Sequence, residues 1–437
     1  MQLQYGLDDK PPLLKTLLFG IQWAALLIAT ILILGKVVGE LHYPDQADQI
    51  LYLRKLFFIS AVTLFFQILA GHKLPLIPGP SAVLLIGILA CRSCTLSVIY
   101  SSIMAGGIIL AIISMCGVLK HVNRLFTANV ISVVLILIAF TMTPAIIDLI
   151  IDKEGGINPS YNMLFAMVVI FLMFLSYRML KGIWKSTIVI WSIILASPVY
   201  YLILHVPQQS RHAFEGPWLD SFLYNMNTSM SFHPGVMISF IFCYIALLVN
   251  DLGSIQSVNE ILEVKDREGR VKRGVTITGL ANALAGFMGV IGPVNFSISP
   301  GIILSTGCAS RFTLIPAVVI LFILSFLPDV TGAAGGNIPT VVIGAVLAYL
   351  MALQIASGLM VAFKDAEGKG FGMENGMVIG ISVFLGTVVT FLPAAVTEGI
   401  PSALRPVLAN GFVAGVTSAI LMELILINRG AKGDPEG

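Results

Sequence analysis

The chain has 437 residues, of which 57% are hydrophobic and 11% charged, with a formal net charge of +2. A typical soluble domain carries roughly 45–50% apolar and about 25% charged residues, so a water-soluble fold around one apolar core is excluded. The basic residues are scattered and the net charge is small, which leaves no surface for a nucleic-acid partner.

A polar stretch from Met1 to Lys15 precedes an apolar run to about Val38. That run is too long for a signal-peptide core and lacks a small-residue cleavage site, so it reads as a retained first span. Counting it, fourteen apolar segments recur, near residues 15–38, 56–71, 81–91, 95–117, 125–147, 162–179, 186–205, 235–256, 275–292, 300–309, 312–330, 339–363, 376–396 and 404–427. The long ones can cross a ~30 Å hydrocarbon core and none alternates as a strand would. The fold class expected is therefore all-α transmembrane, with fourteen spans.

An even number of spans puts both termini on one side. Placing them in the cytoplasm assigns 18 of the 25 Lys and Arg residues to cytoplasmic segments, among them Lys73, Arg178, Lys265, Arg270 and Lys364. The positive-inside rule then gives a multi-pass protein of the cell membrane with cytoplasmic termini.

Segments 81–91 and 300–309 are too short to cross, since about 10 residues at 1.5 Å each rise only ~15 Å. Each follows a Pro/Gly lead-in, and the Pro78-Gly79 and Pro300-Gly301 pairs lie 222 residues apart in a chain of 437. Two half-helices half a chain apart point to two inverted seven-span repeats, residues 1–220 and 221–437, with a ligand site where the broken helices meet. Ser299 suits an N-cap ahead of Pro300, and Pro80 with Ser81 opens the other half-helix in the same way. Free N–H groups would then face the membrane middle. The alternative is a pair of helix breaks that serve packing alone.

Asp251 is the one carboxylate read as lying well within a span, and intramembrane acids are functional by default. The polar stretch after it also allows an interfacial Asp. Asn250 and Gln22 either contact a ligand or bridge helices. The 259–273 stretch, with alternating charges, reads as a solvated cytoplasmic loop. Cys91-x-x-Cys94 has no second pair or His cluster to complete a metal site and reads as small apolar packing, so no metal or cofactor is expected. His72, His121 and His233 sit in or near connectors and none belongs to an H-E-x-x-H motif, which argues against a membrane-embedded enzyme.

Three stretches carry a family resemblance. Tyr5-Gly6-Leu7-Asp8-Asp9-Lys10-Pro11-Pro12 with Gly20-Ile21-Gln22 is the first, and Gly71-His72-Lys73-Leu74-Pro75 running into Gly79-Pro80-Ser81 is the second. The third is Ile298-Ser299-Pro300-Gly301-Ile302-Ile303-Leu304-Ser305-Thr306-Gly307, which is similar to the signature [QEP]-N-x-G-x4-T-[RKG]. Together they resemble the nucleobase:cation symporter-2 family, the nucleobase–ascorbate transporters, over nearly the full length. Ile298 and Ser299 replace the acidic or amide residue and the Asn of that signature. Asn250 stands where the family usually has Glu, and Trp23 where His is common. The chain looks like a divergent, purine-permease-like branch.

The resemblance implies a core domain from spans 1–4 and 8–11 that holds substrate, and a gate domain from spans 5–7 and 12–14 against which it moves as an elevator. It implies a permease that takes a nucleobase such as a purine or uracil, with a proton or sodium as coupling ion and a homodimer as a compatible assembly. Carried onto this sequence, the substrate residues are Gln22, Pro80, Ser81, Asn250, Asp251, Ile298, Ser299 and Gly301, with Asp251 as the proton-coupling group. The runner-up is a transporter of small anions on the same kind of fold, which the missing carboxylate permits.

Overall fold

The computed structural model describes residues 3–91, 94–117, 127–151, 157–181, 184–185, 187–204, 226–296, 299–365, 371–401 and 404–430. Lipid offers no hydrogen bonds, so a spanning chain must satisfy its backbone within each segment, and the described chain is mostly helix. In order these are α1 (Leu13–His42), α2 (Gln46–Leu69), the strand β1 (Pro78–Pro80), α3 (Ala82–Ala90), α4 (Leu96–Met115), α5 (Ala128–Ile151), α6 (Pro159–Met179), α7 (Ile188–Leu204), α8 (Pro234–Ile261) and α9 (Arg267–Phe287). Then come β2 (Pro293–Asn295), α10 (Ser299–Thr306), α11 (Ile315–Ser325), α12 (Pro328–Gly336), α13 (Thr340–Asp365), α14 (Met373–Thr390), two short helices α15 (Ala394–Glu398) and α16 (Arg405–Leu408), and α17 (Gly411–Gly430). Among the described residues eight helices are long and apolar enough to cross a membrane: α1, α2, α4, α5, α6, α8, α13 and α14.

The two Pro/Gly lead-ins are not simple coil. They form β1 and β2, which pair antiparallel with Pro78 opposite Asn295, Gly79 opposite Val294 and Pro80 opposite Pro293. Each strand feeds a short helix, α3 of 9 residues and α10 of 8 residues. The helices predicted to stop short in the bilayer are thus present, tied to each other at their starts.

Lipid tails give no hydrophobic drive between helices, so close packing through small residues has to hold them. The α4–α9 pair shows how. A methyl group on Gly279 would come within 2.6 Å of the Ala111 nitrogen and 2.8 Å of the Gly107 carbonyl oxygen, so the two backbones touch where Gly279 and Gly107 carry no side chain. A second tight pairing joins α5 to α13, where a methyl on Gly358 would meet the Ser132 carbonyl oxygen at 3.0 Å.

Residues 5–12, the opening motif of the sequence, form a strap over the end of α10. Ala309 N–H donates to the Tyr5 carbonyl at 2.9 Å and Arg311 N–H to that of Leu7 at 3.1 Å. The Arg311 guanidinium reaches the Asp8 carboxylate at 2.8 Å and the Ile68 carbonyl at 2.9 Å. Gly307, with φ +67°, supplies the left-handed turn that ends α10 beneath this strap.

One reading of the sequence needs correction. The 259–273 stretch is not a solvated loop: its first residues end α8 and Arg267–Arg273 form the first two turns of α9. Asp266 caps that helix by accepting from Gly269 N–H at 3.2 Å, and the Arg273 guanidinium beside it holds its carboxyl below the usual range. Arg270 turns inward to donate to the His72 and Lys73 carbonyls at 2.8 and 3.0 Å. His72 lies in the connector between α2 and β1, as read from the sequence, and is buried there at 0% exposure. Glu423, near the end of α17, is also buried, and it accepts from the Asn129 amide at the start of α5 at 3.2 Å.

The backbone contact at Gly279 has a measurable consequence. Gly279→Val should force α4 and α9 apart at a cost of about 1–3 kcal/mol or more. A clearly lower Tm in detergent is expected, while the same change at Gly253, which has open space around it, should leave Tm nearly unchanged.

Candidate functional site

The ribbon sets the geometry of the site. In an antiparallel pair, hydrogen-bonded and non-bonded positions alternate. Phe296 N–H donates to the Ile77 carbonyl at 2.9 Å and Ser81 N–H to that of Gly292 at 3.0 Å, which fixes 77/296, 79/294 and 81/292 as the bonded pairs. Positions 78, 80, 293 and 295 face outward. Proline holds three of them, where the ribbon needs no N–H donor, which is why so proline-rich a segment can pair at all.

Two serines continue the ribbon into the half-helices. Ser81 caps α3, its hydroxyl accepting from Leu84 N–H at 3.4 Å. Ser299 opens α10 and accepts from Ile77 N–H at 3.3 Å, so the start of the second half-helix is bonded to the strand that precedes the first.

A cavity of about 180 Å³ lies beside the ribbon. Its near wall is Thr30, Ile33 and Leu34 of α1, Pro80, Ala82 and Val83 at the start of α3, Asn250 of α8, and Val294 and Phe296 of the second lead-in. Ile138 of α5 and Leu347, Leu350, Met351, Leu353, Gln354 and Ser357 of α13 form the far wall. Gly79 makes room for the Phe296 ring, since a methyl there would sit 2.5 Å from its Cζ. The Thr30 and Ser357 hydroxyls donate to their own helices, at 2.9 Å to Leu27 and 2.9 Å to Leu353, and so turn lone pairs outward. Asn250 and Gln354 add an amide to each wall. No described residue lining the cavity is charged.

The residues singled out from the sequence divide sharply. Asn250 and Pro80 line the cavity. Ser81 and Ser299 are fully buried in the joints of the ribbon, and Gln22 is buried on α1, about 12 Å along the helix from Thr30. Asp251 is at 0% exposure and faces away from the cavity wall toward β2. Its Oδ1 accepts from Asn295 N–H at 3.1 Å and from the Asn295 amide Nδ2 at 2.6 Å. Gly301 is within α10. Ile298 lies outside the described residues.

Thr30, Phe296, Gln354 and Ser357 were not foreseen. Gln354 could have been, because an amide inside the apolar run 339–363 is the same signal that marked Gln22. Phe296 could not, since a Phe in an apolar chain carries no mark until the ribbon aims it.

A mostly helical chain with two short helices joined by a ribbon and a cavity beside it is the build of a secondary transporter. The fold is similar to that of the transmembrane domain of a cyanobacterial bicarbonate transporter, BicA, with a TM-score of 0.59 at 13% identity, covering 97% of this chain and 99% of that one. The permease family model Xan_ur_permease matches residues 14–395, and the chain belongs to that family. It is 25% identical to the xanthine permease of Bacillus subtilis over 420 residues, 94% of this chain and 93% of that protein. It is also 25% identical to a nucleobase transporter of Paenibacillus larvae, over 94% of each. The chain is thus a permease and not an enzyme.

The two amides give a direct test. Gln354→Ala and Asn250→Ala should each raise the half-saturation concentration for transported solute, by the roughly 1–3 kcal/mol that an unmade buried hydrogen bond costs. Gln22→Ala, off the cavity wall, should have the smaller effect when the three are compared by uptake at equal membrane abundance.

Proposed function

We propose that this permease is a secondary active transporter that moves a nucleobase, such as a purine or uracil, with proton symport. The observation that carries the reading is the lining of the cavity: apolar walls, one aromatic ring, two amides, two hydroxyls and no described charge. A nucleobase has apolar faces and an edge of amide-like donors and acceptors, and such a cavity meets both. The described lining offers a small anion no cationic side chain. The names of the two curated relatives support the same substrate class.

Fourteen crossings in two inverted repeats, divided near residue 220, are part of this proposal. The antiparallel ribbon and the paired half-helices support it. In this arrangement spans 1–4 and 8–11 form the core and carry the near wall of the cavity, and spans 5–7 and 12–14 form the gate with α5 and α13. Sliding of core against gate would carry the cavity across the cell membrane, with both termini on the cytoplasmic side. Gly301 and Ile298 belong with the substrate-binding residues in this reading, beside the ribbon-joint serines Ser81 and Ser299. Asp251 is the coupling group in this reading, acting from behind the cavity wall.

Radiolabelled xanthine, uracil and sulfate, offered to cells or proteoliposomes under an imposed pH gradient, test the proposal. A nucleobase should accumulate with the gradient, and Asp251→Asn should keep counterflow exchange while losing gradient-driven accumulation. Uptake of sulfate without any base would overturn the substrate class. Accumulation by Asp251→Asn equal to that of the parent would remove Asp251 from coupling.

A further inference from the structure

Of the four outward-facing ribbon positions, three are proline, and Asn295 alone has an N–H to satisfy. That N–H and the Asn295 amide both donate to one carboxylate oxygen of Asp251, at 3.1 and 2.6 Å. On the same outward side, the Asn295 carbonyl accepts from the Ser254 hydroxyl at 3.1 Å and from the Asn250 amide at 3.5 Å. Asp251, Asn250 and Ser254 all belong to α8, so a single residue of β2 is bonded to three side chains on successive turns of one helix. Asp251 and Asn295 are both fully buried. The neighbours of Asn295 in sequence, Val294 and Phe296, line the cavity, and so does Asn250.

We infer that Asn295 is a positioning residue of the transport site and that Asp251 is the group that holds it. The pair fixes α8 against the ribbon and thereby sets where Asn250 and Phe296 stand in the cavity, although neither Asp251 nor Asn295 lines it. The reason is geometric. The ribbon cannot satisfy the Asn295 N–H itself, lipid cannot, and an acceptor on α8 is the one that also draws the cavity-lining helix into register. The inference rests on the nucleobase reading only for the choice of solute in one of its two tests.

The experiment uses the full-length protein in membranes, in a background without native cysteines. Asp251→Ala, which removes the acceptor of both bonds, should raise the KM for base counterflow exchange roughly tenfold or more with membrane abundance kept, and Asn295→Ala, which loses the amide bond but keeps that of the backbone N–H, should raise it by a smaller, resolvable factor. The double Ala variant should be little worse than Asp251→Ala alone, because contacting residues are not additive. In counterflow exchange, which an imposed gradient does not drive, Asp251→Asn, whose amide oxygen can still accept from Asn295, should raise KM clearly less than Asp251→Ala does. The second readout needs no substrate: the alkylation rate of a cysteine introduced at the wall, Ala82→Cys. It should change in the Asn295→Ala background and stay near the parent value in the Asp251→Asn background. Parent-like KM and parent-like alkylation in Asn295→Ala would overturn the inference, as would additive effects of the two Ala changes. Should the parent take up no base, the nucleobase reading fails by itself, and the alkylation rates still decide the role of Asn295.

Discussion

A helix that ends inside a bilayer leaves backbone groups that neither lipid nor its own turns can bond, and everything distinctive about this protein follows from how two such ends are closed. The solution is a short antiparallel ribbon joining the two lead-ins. Each half-helix start is bonded to the opposite lead-in: Ser81 N–H to Gly292, and the Ser299 hydroxyl to Ile77 N–H. Neither break could be stable by itself. The outward groups that the ribbon leaves over are taken by buried side chains of the flanking helices, Asp251 and Ser254 of α8 and Asn282 of α9, whose amide donates to the Pro293 carbonyl at 2.7 Å.

This closure explains why the polar residues of the membrane interior are amides and hydroxyls more than charges. An amide both donates and accepts, so Asn282 can bond Pro293, Thr278 and Tyr244 at once. The same chemistry appears at the α5, α14 and α17 junction, where the Asn129 amide donates to both Asn375 and Glu423. A cavity built beside such a ribbon inherits a neutral, hydrogen-bonding wall, which suits a planar heterocycle better than an ion.

Two kinds of contact divide the labour. Around the ribbon, hydrogen bonds fix positions to within a bond length. Between the long helices, glycine contacts such as Gly107 with Gly279 bring backbones together without specifying a polar partner. The cavity lies between walls of different make, the bonded ribbon on one side and the apolar face of α13 on the other.

The sequence by itself determined the solvent, the helical class, the places of the two breaks and their relation by half a chain length. Those follow from hydropathy, length and the fixed chemistry of proline and glycine, which act locally. It also pointed to Asn250 and Asp251 but could not say which of them faces the cavity. Neighbours on a helix differ by ~100° in direction, and a helix that is apolar nearly all round has no sequence-readable face. Only the packing of α8 against β2 turned Asn250 to the cavity and Asp251 to Asn295. The pairing of residues 78 and 295, and the placing of Asn250 and Gln354 on opposite walls of the cavity, were likewise decided by tertiary structure, because contacts between segments far apart in the chain leave no periodic trace in either one.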